Sequence, residues 1–202
     1  MVLKSNGTGY PVKIYFLKSS YGQFDEYRAM GGDGAAAVCV EKGDDRDGPG
    51  LISRCFETYG EGKDLATLRS GGTRIRVEDG FDALVEGSHF QMDAFGIFKA
   101  AARSLPRIID KVLGEAGLTR ETVDLVVCHQ ASQPGVEHVR RLMGGDPARV
   151  IELVATVGNQ IAASLPSMLV EAHATGRLKP GTSVLLLGTA AGISAAAMVL
   201  RT

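Results

Sequence analysis

The chain has almost no net charge: 22 Lys and Arg against 23 Asp and Glu leave −1 at pH 7. Without a basic or acidic surplus, a strongly electrostatic partner such as nucleic acid or an anionic membrane is not expected. Long apolar runs are missing as well. Every hydrophobic stretch falls short of the ~20 residues that a bilayer-spanning helix needs. The first twenty residues also lack the charged-then-apolar layout of a signal peptide, so the expected location is the cytoplasm. Cysteine is scarce: Cys39, Cys55 and Cys128 are odd in number and lack metal-ligand spacing. Each lies in or beside an apolar, β-like run, where a thiol behaves as a small buried hydrophobe. Cys128 adjoins His129, but alternation sends neighbouring strand side chains to opposite faces, which argues against a catalytic pair.

What is present suits a globular α/β chain. At 202 residues and 45% hydrophobic, it can bury a core as one domain or two small halves. Met1 to Tyr10 reads as a frayed start, Val12 to Leu17 as a strand, and Ala35 to Val40 as a small-residue strand. The intervening Gly31-Gly-Asp-Gly34 predicts a tight turn that needs positive φ or close backbone approach. A phosphate loop is disfavoured there, because no Lys-Ser/Thr follows and a strand rather than a helix comes next. Lys42 to Gly50 predicts a turn, Leu51 to Tyr59 a strand, and Gly60 to Gly87 an extended surface excursion.

From Met92 the pattern turns helical. Phe95, Phe98, Ala102, Leu105, Ile108, Ile109, Val112 and Leu113 recur at three- and four-residue spacing, with a kink or break expected at Pro106. Strands and helices then alternate: Val123 to Cys128, Pro134 to Met143, Val150 to Thr156, Ala162 to Thr175 and Ser183 to Leu187. A short turn leads into a last, antiparallel strand ending near Leu200. Two of these apolar runs empty into polar loops, one carrying His129 and the next carrying Gly158-Asn159. Parallel pairing with right-handed crossovers sets both loops at one end of a sheet, where open α/β sheets place their chemistry. Imidazole and carboxamide together can donate hydrogen bonds to a developing oxyanion. A solvated or capped loop histidine is the plainer alternative.

Run, Gly-bearing turn and small-residue strand occur near both ends of the chain, Ala195 to Leu200 echoing Ala35 to Val40. This suggests one complete α/β layer plus the last two strands of a sister layer. Val12 to Leu17 is then expected to present an unpaired edge or apolar face that another chain covers.

Gly32-Asp-Gly-Ala-Ala-Ala-Val, Met92-Asp-Ala-Phe-Gly-Ile-Phe-Lys99, His129-Gln-Ala-Ser, Gly158-Asn-Gln-Ile-Ala-Ala-Ser-Leu-Pro166 and Lys179-Pro-Gly-Thr-Ser-Val-Leu-Leu-Leu-Gly188 occur in that order. Over about residues 12 to 201 the chain resembles the C-terminal half of the β-ketoacyl-acyl-carrier-protein synthase III branch of the thiolase-like condensing enzymes. The resemblance implies an α/β, thiolase-like fold: a mixed five-stranded sheet with helices on both faces over residues 46–202, and a remnant of the N-terminal half over residues 1–45. It implies decarboxylative condensation of an acyl thioester with a malonyl thioester, as in fatty acid or polyketide biosynthesis. His129 and Asn159 match the catalytic His and Asn, the backbone of Ala191 the remaining oxyanion donor, and Met92, Ala94, Phe98, Ala131 and Ser132 substrate contacts. A packed helical face is the alternative for the first three.

On the same resemblance, no cofactor is tightly bound, and acyl-CoA with malonyl-carrier-protein or malonyl-CoA are the substrates. The nucleophilic Cys has no counterpart in this chain and is expected from a missing segment or companion chain, with acyl carrier protein and a possible second copy as further partners. Departures fall near the site. Ser132 stands where Asn is usual, Gly135 where a basic residue is usual, and Thr189-Ala-Ala-Gly192 replaces a Gly-rich turn. Two other readings are a catalytically silent structural subunit and a generic α/β ligand-binding domain with an anion site at Gly31 to Gly34.

Overall fold

The computed structural model describes residues 2–3, 12–13, 32, 34–40 and 49–202. Its residues group into two compact units: Met1–Cys55 with Pro106–Gly188 and Ala196–Thr202, and Phe56–Leu105 with Thr189–Ala195.

In the first unit, β1 (Val2–Leu3), β2 (Val12–Lys13) and β3 (Cys39–Val40) form an antiparallel sheet with β2 in the middle. Three expectations change here. Val2 and Leu3 are paired rather than frayed, with Val2 opposite Lys13, while the rest of Met1 to Tyr10 lies outside the described residues. Val12 and Lys13 have strands on both sides, so they are no unpaired edge. The strand expected from Ala35 is confined to Cys39–Val40, for Ala35 and Val38 are exposed and have no apolar face to bury. Residues 14–17 and most of the expected turn from Lys42 lie outside the described residues.

The larger sheet has the order β4 (Gly50–Thr58), β9 (Ser194–Arg201), β8 (Ser183–Ala190), β7 (Leu125–Cys128). β7 and β8 run parallel, Leu125 opposite Val184. β8 and β9 are antiparallel, since Thr202 beyond the end of one donates its N–H to Thr182 before the start of the other at 3.0 Å. All four residues of β7 are buried, as expected for a strand covered on both faces. On one face Leu125, Val127, Val184 and Leu200 cluster with Ile151, Leu178 and the Met168, Leu169 and Ala172 of α5 (Ser164–Ala174). α2 (Ala94–Glu115) contributes the fully buried Ile108, Ile109 and Val112, and Ser53 of β4 donates to the Val112 carbonyl at 2.6 Å. The helix runs on through Pro106 as one element rather than as two abutting helices.

The strand expected over Val150 to Thr156 is reduced to one parallel bridge, Val126 to Val150. The Ile151 N–H donates to Val126 at 3.1 Å, and the backbone then turns into α4 (Val154–Val157). The fifth strand of the sheet is therefore a single pairing.

In the second unit, β5 (Ala66–Thr67) pairs antiparallel with β6 (Gln91–Met92), and α1 (Phe81–Gly87) precedes β6. The expected surface excursion thus has local order: Arg69 and Ser70 donate backbone N–H groups to the Gly87 carbonyl at 3.0 and 2.9 Å. Asp93 begins α2, its Oδ1 accepting the Gly96 N–H at 2.8 Å. No helix among the described residues is long and apolar enough to cross a membrane.

Candidate active site

β7 delivers His129 immediately past its last buried residue, and the His129 N–H donates to Leu187 of β8 at 2.7 Å. That bond extends the parallel ladder one residue beyond the strand and fixes where the imidazole emerges. Asn159 follows α4 and Gly158, whose φ of 69° lets the chain reverse at the helix end. The Asn159 Oδ1 accepts the Ile161 N–H at 2.9 Å. With its oxygen engaged, the carboxamide has its NH₂ left to donate elsewhere.

Ile161 also meets His129. Burial pushes the imidazole below the usual histidine range, and a hydrogen bond with the Ile161 backbone works in the opposite direction by favouring the charged ring. Ile161, itself held at a positive φ of 51°, thus binds the Asn159 carboxamide and has its backbone beside the imidazole. The loop is held on its other side as well: Gly32 donates its N–H to the Asn159 carbonyl at 3.0 Å.

The shift of His129 has a sign that can be checked. A histidine favoured in its neutral form contributes stability that is fully present above its ordinary pKa of about 6.5 and is lost as pH falls through that value toward the lower folded one. NMR titration of the ring is expected to give a midpoint below 6.5. Chemical denaturation should show His129→Gln losing less stability than the parent between pH 6.5 and 5, and equal slopes would remove the burial argument.

Ser132 is the N-cap of α3 (Gln133–Leu142), its Oγ accepting the Gly135 N–H at 3.4 Å, with Pro134 in the first turn. Ala131 beside it is exposed. Cys128 is buried at 2% exposure, and that burial pushes its thiol up to about 12, so it stays protonated and inert as a nucleophile. Met92, Ala94, Phe98 and Ala191 belong to the second unit: Met92 ends β6, Ala94 and Phe98 occupy the first two turns of α2, and Ala191 lies between β8 and β9. The structure thus brings His129 and Asn159 to a common backbone contact in the first unit. A shallow depression of about 510 Å³, lined by Asp124, Arg177, Lys179 and Thr182, lies at the opposite end of β7 from His129. No group of three or more His, Cys, Asp or Glu is placed to hold a metal ion among the described residues.

One residue of this site escaped the sequence reading. Gln130 is wholly buried, and its Nε2 donates to the Ile151 carbonyl at 2.6 Å. Its Oε1 accepts the N–H groups of Leu153 and Val154, both at 2.9 Å. The available signal was a long carboxamide next to a buried strand, a position that must either leave the protein or find several partners.

Residues 113–202 match the family described as "3-Oxoacyl-[acyl-carrier-protein (ACP)] synthase III C terminal". The chain is 36% identical over 172 residues to a β-ketoacyl-acyl-carrier-protein synthase III of Nitratidesulfovibrio vulgaris, covering 84% of this chain and 52% of that protein. It is 28% identical over 176 residues to that of Clostridium tetani, with the same coverage. Among solved structures, the 3-oxoacyl-(acyl carrier protein) synthase III of Pseudomonas aeruginosa matches with a TM-score of 0.74 at 26% identity, over 88% of this chain and 52% of that one. The Thermus thermophilus enzyme matches with a TM-score of 0.70 at 30% identity, over 85% and 52%. The fold is thus thiolase-like, and the chain spans about half the length of the relatives it matches.

Proposed function

Through residues 113–202 the chain belongs to the 3-oxoacyl-acyl-carrier-protein synthase III family, and on that premise we propose that it is the C-terminal half of a decarboxylating condensing acyltransferase. Residues 46–202 form its C-terminal domain and residues 1–45 are the end of the preceding half. His129 and Asn159 donate hydrogen bonds to the thioester oxygen of a malonyl group carried by acyl carrier protein or coenzyme A. Cleavage of the bond to the carboxylate releases CO₂ and leaves its electron pair on the α-carbon, with charge spread onto that oxygen. The carbanion then forms a carbon–carbon bond to an acyl group held on a cysteine, and the carbon–sulfur bond breaks to return the thiolate. The acyl group comes from acyl-CoA, and the cysteine belongs to a preceding segment or companion chain. No tightly bound cofactor is required.

The observation that supports this reading is that the imidazole of His129 and the carboxamide of Asn159 both neighbour the Ile161 backbone, whose N–H binds the carboxamide oxygen at 2.9 Å and so leaves the NH₂ end to act as donor. Preorganised donors of this kind stabilise charge that develops during reaction without reorganising. In the second unit, Val77 and Phe81 are each 79% exposed and Phe95 is 74% exposed. These large apolar side chains suit coverage by a companion half or a second copy.

The test is complementation. This chain is mixed with a polypeptide supplying the Cys-bearing half of such a synthase, and condensation of acyl-CoA with malonyl-carrier-protein is followed. Product is expected from the mixture and from neither component alone. Absence of both a complex and product overturns the proposal.

A further inference from the structure

We infer that Gln130 is a positioning residue, whose buried carboxamide takes the place of a fifth sheet strand and thereby sets the loop bearing Asn159 against His129. The inference rests on the functional reading for its catalytic meaning, but its structural content stands apart from it. Past Ile151 the backbone leaves the ladder of β7, and its polar groups need other partners. Gln130 supplies them: one donor for the Ile151 carbonyl and one oxygen for two consecutive N–H groups, Leu153 and Val154. Those two N–H groups open α4, which is only four residues long and has no cap of its own from Leu153. Gln130 Oε1 therefore caps α4 from the neighbouring strand. The helix then leads through Gly158 directly to Asn159.

The geometry couples two sites that are 30 residues apart in sequence. Gln130 is the immediate neighbour of His129, so the backbone that fixes the imidazole also fixes the clamp. At 0% exposure it has no water to fall back on, and every bond lost leaves a buried polar group unpaired. The clamp uses both ends of the carboxamide, as donor and as acceptor. A hydrocarbon can do neither. A carboxylate can accept but not donate, and it would face the Ile151 carbonyl oxygen with like partial charge. A protonated carboxyl can do both.

That contrast supplies the test, read by NMR on the chain itself. In Gln130→Leu, exchange of the Leu153 and Val154 amides is expected to quicken about tenfold or more, and the Ile161 amide and Asn159 side-chain resonances should shift. In Gln130→Glu the same changes are expected at pH 7.5 and should reverse toward the parent spectrum as pH falls to 5. A buried carboxyl opposite a carbonyl takes up its proton readily, and the protonated group restores the missing donor. The titratable and charged groups around the clamp are His129 beside it, Glu152 within the clamped segment, and Arg140 of α3, which pairs with Glu152. All three remain in the parent, so the parent spectrum over the same pH range removes their contributions.

Gln130→Glu at pH 5 also keeps the test decisive should Gln130→Leu fail to fold. The inference is overturned if Gln130→Glu shows no reversal, or if exchange quickens at Leu153 and Val154 while Asn159 and Ile161 stay in place, since the clamp is then local. A reversible clamp together with alanine variants of His129 and Asn159 that do not slow condensation would instead sink the catalytic reading and leave the clamp standing.

Discussion

Alanine at His129 or at Asn159 is expected to lower the condensation rate of the complemented enzyme by about 10²- to 10³-fold each, the usual loss when one preorganised oxyanion donor is removed. On the proposed mechanism, KM for the malonyl thioester should change far less than kcat, because donors in that role act on charge that develops only during decarboxylation. The shared contact at Ile161 adds a sharper expectation. Removing the carboxamide frees the Ile161 N–H, and removing the imidazole opens space beside the same backbone. Each single variant therefore already loosens the partner's support, and the double variant should fall short of the product of the single losses. Strict additivity would mean that the two side chains act independently. If neither single variant slows the reaction, the chain serves the complex as a catalytically silent structural subunit.

The parts of the fold that read directly from the sequence are those in which local pattern and burial agree. The apolar run at Leu125 to Cys128 is a strand because sheet and helices cover both of its faces, and no residue in it needs water. His129 could be placed at its exit for that reason, and Ser132, Gln133 and Pro134 announce the helix that follows. Val150 to Thr156 misled for an equally physical reason. It is as apolar as a buried strand, but beyond its one pairing with Val126 its backbone groups are satisfied by a side chain 21 to 23 residues away rather than by a ladder, and period alone cannot reveal a partner of that kind. The same gap hid Gln130. Asn159 could be found as a residue type in a loop, whereas the turn of helix that carries it depends on the clamp. The second unit was the least legible, because its order rests on short pairings such as Ala66 with Met92 and on backbone contacts to Gly87, which leave no apolar period.

Alanine at Gly32 is expected to destabilise the chain and to disturb the loop that carries Asn159. The sequence left open whether Gly31 to Gly34 needs positive φ or close approach, and at Gly32 the structure answers with close approach: a Cβ there would come within 1.7 Å of the Val157 carbonyl oxygen. That oxygen belongs to the backbone that bears Asn159 one residue after Gly158, so it cannot swing aside as a side chain would. Relief requires the Gly32 segment to lift off, which breaks the 3.0 Å bond from its N–H to the Asn159 carbonyl. Overpacking of this kind costs about 1–3 kcal/mol, and it should appear as a lower denaturation midpoint together with shifted Gly158 and Asn159 resonances. Gly34 supplies the control. A Cβ there would meet the Gln160 side chain, with Nε2 at 2.6 Å, rather than backbone. Gly34→Ala should therefore cost less than Gly32→Ala, since a side chain shifts more cheaply than the main chain, and leave the Asn159 backbone in place. Equal losses at the two glycines would mean that general crowding, rather than contact with the Asn159 loop, selects glycine at these positions. A large loss at Gly32 with an unmoved Asn159 would separate the stability of the turn from the geometry of the site.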